Sequence, residues 1–262
     1  MAERRPMPVN AAFAIRFDGA RTATGVYADD MDRLGAALAV VGLAPPRPVL
    51  VLVGGAGGMD PSDAQRVWGT FSAGLVPVLQ QVGAAALDGG TRAGVMRILG
   101  ETRAAAAASF PLLGVAAAGT VRLPDEPASD DDRAELDPGH THVLLVPGDE
   151  WGAEAPWLAR VATELTGTAP SVTVLVNGGE ISYSDVARSV EAGRPVLTVA
   201  GSGRTADQLV EALRGAPADP RAVALARSGL VRAVSIDDPA SLGRLVAEAL
   251  GGPSAPASSE SS

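Results

Sequence analysis

The chain has 262 residues, 47% of them apolar, and it has no cysteine, a formal net charge of −9 and only arginine among its 21 basic residues. This composition is typical of a globular protein with an ample core, and it excludes disulfides, cysteine nucleophiles, cysteine zinc sites, a P-loop lysine and a Schiff-base lysine. The negative charge argues against duplex nucleic acid as a partner, because binding to phosphates requires a basic surface.

The N-terminal part of the sequence, residues 1–46, predicts an extension that packs on the main domain. It contains a short apolar run at 11–17 and a helical pattern at 30–43. The first residues lack the apolar stretch of a signal peptide, and no apolar run in the chain reaches the roughly 18 residues that a membrane span requires. We therefore expect a cytoplasmic protein without a membrane partner.

Residues 47–250 alternate between short apolar runs and longer amphipathic stretches, which predicts a single α/β domain. The predicted strands are residues 49–53, 84–87, 112–116, 142–146, 172–176, 196–200 and a shorter one at 232–236. The predicted helices are residues 62–82, 93–108, 156–166, 184–192, 206–213 and 240–250. Strands that are continuous apolar runs indicate a mostly parallel sheet covered on both faces. The expected fold is a Rossmann-like three-layer sandwich.

Two segments interrupt this alternation or follow it. Residues 119–139 are acidic and contain proline, which predicts a surface loop. Residues 251–262 consist of Gly, Pro, Ser and Ala with a single Glu, which predicts a disordered tail.

Four of the predicted strands run into glycine-rich loops. The paired glycines of these loops are Gly54 and Gly55, Gly89 and Gly90, Gly178 and Gly179, and Gly201 and Gly203. In a parallel sheet such loops share one edge, where open α/β sheets bind ligands. Glycine lets a phosphate approach the backbone, and the helix N-termini that follow favour anions. The pattern therefore predicts a site for a nucleotide-type ligand, although glycine at such turns also serves simple chain reversal.

The glycine pattern departs from two common nucleotide-binding motifs. Residues 54–58 read Gly-Gly-Ala-Gly-Gly and do not form the Gly-x-Gly-x-x-Gly dinucleotide fingerprint. The stretch to residue 63 also lacks the Gly-Lys-Ser/Thr ending of a P-loop. Hydride transfer on NAD and Walker-type ATP hydrolysis are therefore both disfavoured.

Polar side chains in these loops are candidates for ligand contacts. Arg204 lies at a helix start and is expected either to clamp a phosphate or to pair with Asp207, and Arg92 has a similar placement. Thr91 and Ser202 are expected to donate to phosphate oxygens or to cap helices.

Two acidic residues are candidates for ribose hydroxyls. Glu180 is the stronger of them, and Asp88 could instead cap the turn at residues 89–90. Among the aromatic residues, Trp151 lies in a loop at the expected binding edge and could stack on a base, whereas Trp157 is expected in the core.

His140 and His142 are two residues apart at the start of a predicted strand, so their side chains are expected to share a face. A metal site would need a third ligand, and the sequence offers no evident one. Packing or hydrogen bonding to the nearby loop is therefore favoured, and we expect no metal.

Three motifs in order along the chain resemble the SLOG superfamily. Residues 89–101 contain Gly-Gly-x-x-x-Gly-Val-Met-x-x-x-Gly, residues 136–142 read Leu-Asp-Pro-Gly-His-Thr-His, and residues 201–207 read Gly-Ser-Gly-Arg-Thr-Ala-Asp. The superfamily includes the LONELY GUY phosphoribohydrolases, the DNA-processing protein DprA and the N-terminal domains of melastatin-type TRP channels. The similarity is greatest to the channel type in its stand-alone prokaryotic form, LSDAT, and covers residues 47–213.

The resemblance implies a Rossmannoid fold and a nucleotide-derived ligand, with ADP-ribose-like molecules as the first expectation. The sequence identifies no cofactor beyond such a ligand. The phosphoribohydrolases carry a second motif, Pro-Gly-Gly-x-Gly-Thr-x-x-Glu. In register with it, this chain has Ile181 in place of the third glycine and Asp185 in place of the glutamate. A carboxylate retracted by one methylene can cost on the order of 100-fold in rate. Asp185 and Glu180 are therefore the catalytic candidates of a weakened site.

Three functional hypotheses follow from these patterns. The first is a sensor that binds a nucleotide-derived ligand at the glycine-rich edge, and the second is a hydrolase of an N-glycosidic bond in a nucleotide. The third is an interaction protein whose fold serves as a surface for a partner or for a homo-oligomer.

Overall fold

The computed structural model describes residues 8–55, 57, 59–127 and 132–252. Its strands are β1 (Phe13–Arg16), β2 (Thr22–Tyr27), β3 (Val49–Gly54), β4 (Ala85–Asp88), β5 (Leu112–Ala117), β6 (Val121–Arg122), β7 (Ala134–Glu135), β8 (His142–Val146), β9 (Ser171–Val176), β10 (Val196–Ala200) and β11 (Val231–Ser235). Its α-helices are α1 (Leu34–Val40), α2 (Pro61–Thr70), α3 (Val76–Val82), α4 (Gly94–Ala105), α5 (Ala155–Thr166), α6 (Glu180–Glu191), α7 (Arg204–Leu213), α8 (Pro220–Ala226) and α9 (Pro239–Ala249).

Within the described ranges, nine strands form one sheet in the order β1-β2-β8-β5-β4-β3-β9-β10-β11. The pairing is parallel throughout except between β1 and β2, which are antiparallel. The short strands β6 and β7 pair with each other in the segment that was expected to be a loop. The expected mostly parallel, Rossmann-like α/β fold is confirmed.

The central strand β3 shows why the sequence forms this fold. It reads Val-Leu-Val-Leu-Val-Gly, and its five apolar side chains are all buried. Val49, Val51 and Val53 belong to the core on one face of the sheet, whereas Leu50 and Leu52 belong to the core on the other. A strand with both faces covered needs this continuous apolar run rather than alternation.

Helices cover the two faces of the sheet and complete three layers. The core on one face is built with α1, α5, α6, α7 and α8, and the core on the other face is built with α2, α3, α4 and α9. The helix expected at 62–82 is continuous in extent but contains a π-helical turn at Phe71–Leu75. Gly74 in this turn packs against α9, where an added Cβ would lie 2.3 Å from the carbonyl oxygen of Pro239.

The structure differs from the sequence expectations at a few elements. Strand β2 and helix α8 were not predicted, and α6 begins at Glu180 rather than at residue 184. In the predicted extension, β2 pairs in parallel with β8 and so joins the main sheet. In the predicted tail, residues 253–262 lie outside the described part of the chain.

The order of the strands creates a crevice beside β3. From β3 the chain adds β4, β5 and β8 on one side, and it then returns to add β9, β10 and β11 on the other. The carboxyl ends of β3 and β9 therefore flank the point at which the direction of winding reverses. Ligands of open α/β sheets bind at such a point.

A buried ionic cluster of Asp88, Asp137 and His140 joins two of the sequence motifs. The His140 ring donates from Nε2 to Asp88 Oδ1 at 2.7 Å and from Nδ1 to the Asp137 carbonyl oxygen at 3.2 Å. The Asp137 carboxylate lies 3.7 Å from Nδ1. Burial alone would lower the pKa of His140, but the two carboxylates outweigh it and raise this pKa to about 10.

Close backbone packing surrounds this cluster. An added Cβ on Gly114 would lie 2.5 Å from Gly90 Cα and 3.1 Å from His140 Cδ2. An added Cβ on Gly100 would lie 2.4 Å from Asp137 Oδ1 and 3.2 Å from Gly139 Cα. The first two motifs of the chain are therefore held against each other by glycine contacts around a charged histidine.

We expect His140 to make stability depend on pH. Because its folded pKa is raised, the stabilisation is complete below about pH 6.5 and is lost as pH rises through about 10. His140→Gln should lower the free energy of unfolding at pH 7 by about 3–5 kcal/mol, since it leaves buried carboxylates without their cation. It should also reduce the fall in the free energy of unfolding between pH 7 and 10, as measured by urea unfolding. His142→Gln is the control and should retain the fall in stability between pH 7 and 10. The same fall in His140→Gln would show that His140 does not cause it.

Candidate functional site

A cavity of about 380 Å³ opens at the carboxyl edge of the sheet, beside the reversal point. Residues that follow β3, β4 and β9 line it together with residues around the starts of α4, α5 and α6. The lining residues are Leu52, Gly54, Gly55, Gly89, Thr91, Met96, Ala116, Thr120, Trp151, Glu154, Leu158, Gly179, Glu180, Ile181, Ser182, Asp185 and Arg204. Cavities that hold small molecules combine apolar walls with a few polar groups in this way.

The glycines at the end of β3, Gly54 and Gly55, lie in close contact with the end of β9 and the residue that follows it. An added Cβ on Gly54 would lie 2.5 Å from the carbonyl oxygen of Val176. An added Cβ on Gly55 would lie 3.1 Å from Asn177 Oδ1. A larger residue at Gly54 would push the ends of β3 and β9 apart, and one at Gly55 would crowd the Asn177 side chain, so backbone forms this wall of the cavity.

The structure brings together some of the residues predicted from the sequence and leaves others outside the cavity. Those that line it are Gly54, Gly55, Gly89, Thr91, Gly179, Glu180, Asp185 and Arg204. Those that do not line it are Gly90, Arg92, Gly178, Gly201, Ser202 and Gly203.

The loop after β10 uses its polar groups internally. The N–H groups of Gly201 and Gly203 donate to the two carboxylate oxygens of Asp207, at 2.7 and 3.1 Å. Ser202 Oγ donates to the Val199 carbonyl oxygen at 2.6 Å and accepts from the Asn177 N–H at 2.8 Å. The chain's own carboxylate thus occupies the donors that were expected for a phosphate.

Arg204 bridges the loops that follow β3 and β9. Its backbone is left-handed, with φ of 50°. Its Nη1 donates to the carbonyl oxygen of Gly57 at 3.0 Å, and its Nη2 lies 3.1 Å from the position of an added Cβ on Gly179. The expected alternative, an ion pair with Asp207, is not observed between these two described residues; the Asp207 carboxylate accepts from the Gly201 and Gly203 N–H groups. A guanidinium has five N–H donors, so the remaining ones can serve a ligand.

Arg92 and Glu180 each have an acidic or basic partner at the surface. Arg92 lies away from the cavity and pairs with Glu135 at 3.3 Å. Glu180 pairs with Arg221 at 2.6 Å, and Arg221 also stacks on the Tyr183 ring at 4.0 Å. Hydrogen bonding and charge from Arg221 lower the pKa of Glu180. Exposed pairs of this kind are weak, so the pairing competes only modestly with a ligand.

A second carboxyl, not predicted from the sequence, faces the cavity near Asp185. Glu154 precedes α5, and its Oε2 accepts from the Gly152 N–H at 3.0 Å. Burial, and then the charge of Glu154, raise the pKa of Asp185 to about 7, against the opposing charge of Arg188. Burial also raises the pKa of Glu154. From the sequence, Glu154 could have been found only by its position, since it follows β8 and so lies at the carboxyl edge of the sheet.

The aromatic and acidic residues considered from the sequence occupy distinct places. Trp151 is 47% exposed at the cavity, whereas Trp157 is buried in the core. Asp88 is buried and accepts from the Gly90 N–H at 2.7 Å, as a turn cap would. His142 Nδ1 lies 2.7 Å from Thr141 Oγ1, apart from the His140 cluster.

Two buried oxygens around the cavity have no hydrogen-bond partner among the described residues. They are Thr91 Oγ1, in the cavity lining, and Asn177 Oδ1, beneath Gly55. Buried polar atoms are normally paired, so such atoms are expected to bind a ligand or water. Within the described ranges, no group of three or more His, Asp or Glu side chains is placed to hold a metal ion.

Comparison with known proteins identifies the family. Residues 47–243 match the family described as "SLOG in TRPM, prokaryote". The chain belongs to this family. The match includes the three sequence motifs and every residue that lines the cavity.

Curated relatives include the transient receptor potential cation channel subfamily M member 2 of Mus musculus and of Rattus norvegicus. Each is 28% identical over 209 residues, which cover 65% of this chain. The match spans 14% of the length of each channel. In the described part of this chain, no helix is long and apolar enough to cross a membrane. Among solved structures, the X-ray structure of TM1055 has a TM-score of 0.47 and 20% identity, over 72% of this chain and 91% of that one.

We expect Asp185 to destabilise the fold above neutral pH. Because its folded pKa is raised from 3.8 to about 7, the folded state retains a proton that the unfolded state loses, and stability falls as pH rises between these values. The free energy of unfolding of Asp185→Asn should equal that of the unchanged protein near pH 4. At pH 8 it should be higher by on the order of 2–4 kcal/mol, at about 1.4 kcal/mol per pKa unit. Urea unfolding at both pH values measures this, with the exposed Asp32→Asn as control. Equal stability of Asp185→Asn and the unchanged protein at pH 8 would contradict it.

Proposed function

We propose that the cavity binds a nucleotide-derived ligand, with ADP-ribose-like molecules first among them, and that the domain acts as a sensor of that ligand. The observation that carries the proposal is the cavity at the reversal point of the sheet, whose lining combines glycine backbone, the guanidinium of Arg204 and the exposed ring of Trp151. Membership of the SLOG family supports this choice of ligand class. The cytoplasmic location and a homo-oligomeric state remain part of the same proposal.

The phosphate end of the proposed site is formed by Gly54, Gly55, Gly179 and Arg204. The glycines leave room for phosphate oxygens to approach the backbone. Gly179 also caps the twelve-residue helix α6, whose positive end faces the cavity. Arg204 Nη1 donates to Gly57, and the guanidinium donors that no described residue accepts match the geometry of phosphate oxygens.

The base end of the proposed site is formed by Trp151, Leu158 and Ile181. Trp151 is exposed, as is Ile181 at 39%, and such apolar groups at a cavity suit a planar base. Stacking on an aromatic side chain contributes about 1–3 kcal/mol per base. A ligand with phosphate at one end and a base at the other therefore fits the distribution of polar and apolar groups.

Calorimetric titration with ADP-ribose, AMP, cyclic ADP-ribose and NAD tests the proposal. At least one of them should bind the unchanged protein, and Arg204→Gln should weaken that binding by about 10- to 100-fold, because a charge-assisted hydrogen bond to phosphate is lost.

The matched control is Arg214→Gln, at the other end of α7 and about 15 Å away along the helix axis. Arg214 pairs with Glu211 at the surface, and its replacement should leave the affinity unchanged. Absence of binding by the whole panel at high protein concentration would contradict the proposal. If the protein binds none of these nucleotides but binds a partner, and Arg204→Gln still binds that partner, the fold serves instead as an interaction surface.

Hydrolysis of an N-glycosidic bond is the second candidate, and the raised pKa of Asp185 favours it. An acid with a pKa near neutrality can protonate a leaving base while water adds to the anomeric carbon. Incubation with nucleoside monophosphates and NAD, followed by chromatography, should then show free base and the matching ribose product. Asp185→Asn should reduce this release by at least about 100-fold. Release no greater than in a control without protein would contradict hydrolysis and leave the binding proposal standing.

A further inference from the structure

Glu154 and Asp185 form an acid corner, by which we mean these two carboxyl groups on the wall of the cavity. They come from neighbouring segments, since Glu154 directly precedes α5 and Asp185 lies in α6. Both carboxyl groups line the cavity, and the charge of Glu154 contributes to the raised pKa of Asp185. Asp185 is mostly buried, and no described residue donates a hydrogen bond to its carboxyl or pairs with it.

The acid corner contains two acidic groups, and among the described residues that line the cavity the basic side chain is that of Arg204. Arg188, one helical turn after Asp185, opposes the effect of Glu154, but it does not line the cavity. Among the described residues that line the cavity, Arg204 is the cation, and it lies at the phosphate end. Of the two carboxyls, one oxygen of Glu154 is satisfied by the Gly152 N–H.

Apolar and aromatic groups close around the acid corner. Ile181 lies against Gly152, with three of its side-chain atoms 3.6 Å from the position of an added Cβ there. Trp151 and Leu158 complete this part of the lining. Two carboxyls in such surroundings repel an anionic group, and one of them holds a proton near neutral pH. A ligand cation can replace that proton, and an aromatic face favours a flat cation.

On the basis of the proposed function, we propose that the acid corner recognises a positively charged, pyridinium-type base, with the phosphate of the same mononucleotide held at the Arg204 end. The spacing of the two ends agrees with this arrangement. Gly179 and Asp185 are six positions apart on or beside α6, which corresponds to about 9 Å along the helix axis. One mononucleotide unit can therefore contact both ends, and cation binding releases a proton from the acid corner.

The test compares oxidised and reduced nicotinamide mononucleotide by calorimetry at pH 6.5. Their phosphate and ribose are identical, but the oxidised base is a cation and the reduced base is neutral. The oxidised form should bind at least about tenfold more tightly. Titrations in two buffers of different ionisation enthalpy should show proton release with the oxidised form alone.

Three variants assign the preference to the acid corner. Asp185→Asn and Glu154→Gln should each reduce the preference for the oxidised form and the proton release, while affinity for the reduced form changes little. Glu150→Gln is the matched control, because Glu150 is an exposed acid of the same loop outside the cavity lining. Thermal unfolding of each variant checks that the fold persists.

The outcomes separate this inference from the proposed function. Equal affinity for the two forms overturns the inference, and so does binding of ADP-ribose without binding of either mononucleotide; in both cases the proposed function stands. Failure of both mononucleotides and of the whole panel of ADP-ribose, AMP, cyclic ADP-ribose and NAD to bind overturns the inference and the proposed function together. A preference for the oxidised form that persists unchanged in Asp185→Asn and Glu154→Gln also overturns the assignment to the acid corner.

Discussion

The charged His140 side chain, buried between Asp88 and Asp137, is the interaction on which the architecture of the binding edge depends. It ties the end of β4 to the segment that enters β8. Gly90, Gly100 and the segment before β8 then pack so closely that larger residues are excluded. These contacts hold in place the loop after β4, whose Gly89 and Thr91 line the cavity. A buried charge of this kind is costly to isolate, so the cluster is maintained only when all its members are present.

The second constraint is the contact between the ends of β3 and β9. Because Gly54 and Gly55 have no side chain, the end of β3 lies in close contact with the loop after β9, and both glycines line the cavity. The strands on both sides of this point are packed into the two cores of the sheet. The charged groups that line the cavity are few, namely Glu154, Glu180, Asp185 and Arg204.

Much of the fold could be predicted from the sequence, because strands buried on both faces are continuous apolar runs that are easily distinguished from their helices. Strand β2 was missed because its sequence, Thr-Ala-Thr-Gly-Val-Tyr, is short of large apolar residues. Helix α8 was missed because it has only seven residues. Three of the four glycine-rich loops contribute glycines to the cavity lining, and the loop after β10 does not.

The composition of the site was less predictable, since it depends on contacts between residues distant in sequence. The donors of Gly201 and Gly203 looked free until the structure placed the Asp207 carboxylate on them. Glu154 carries no motif, and it faces Asp185 only because α5 packs beside α6. The partner of Glu180, Arg221, lies in the helix that the sequence did not reveal.

The most direct test of the account is a crystal structure of the protein grown with ADP-ribose. We predict ligand density in the cavity, with phosphate oxygens beside Arg204 and Gly55 and the base against Trp151. Density for the ligand at another surface, with this cavity left empty, would contradict it.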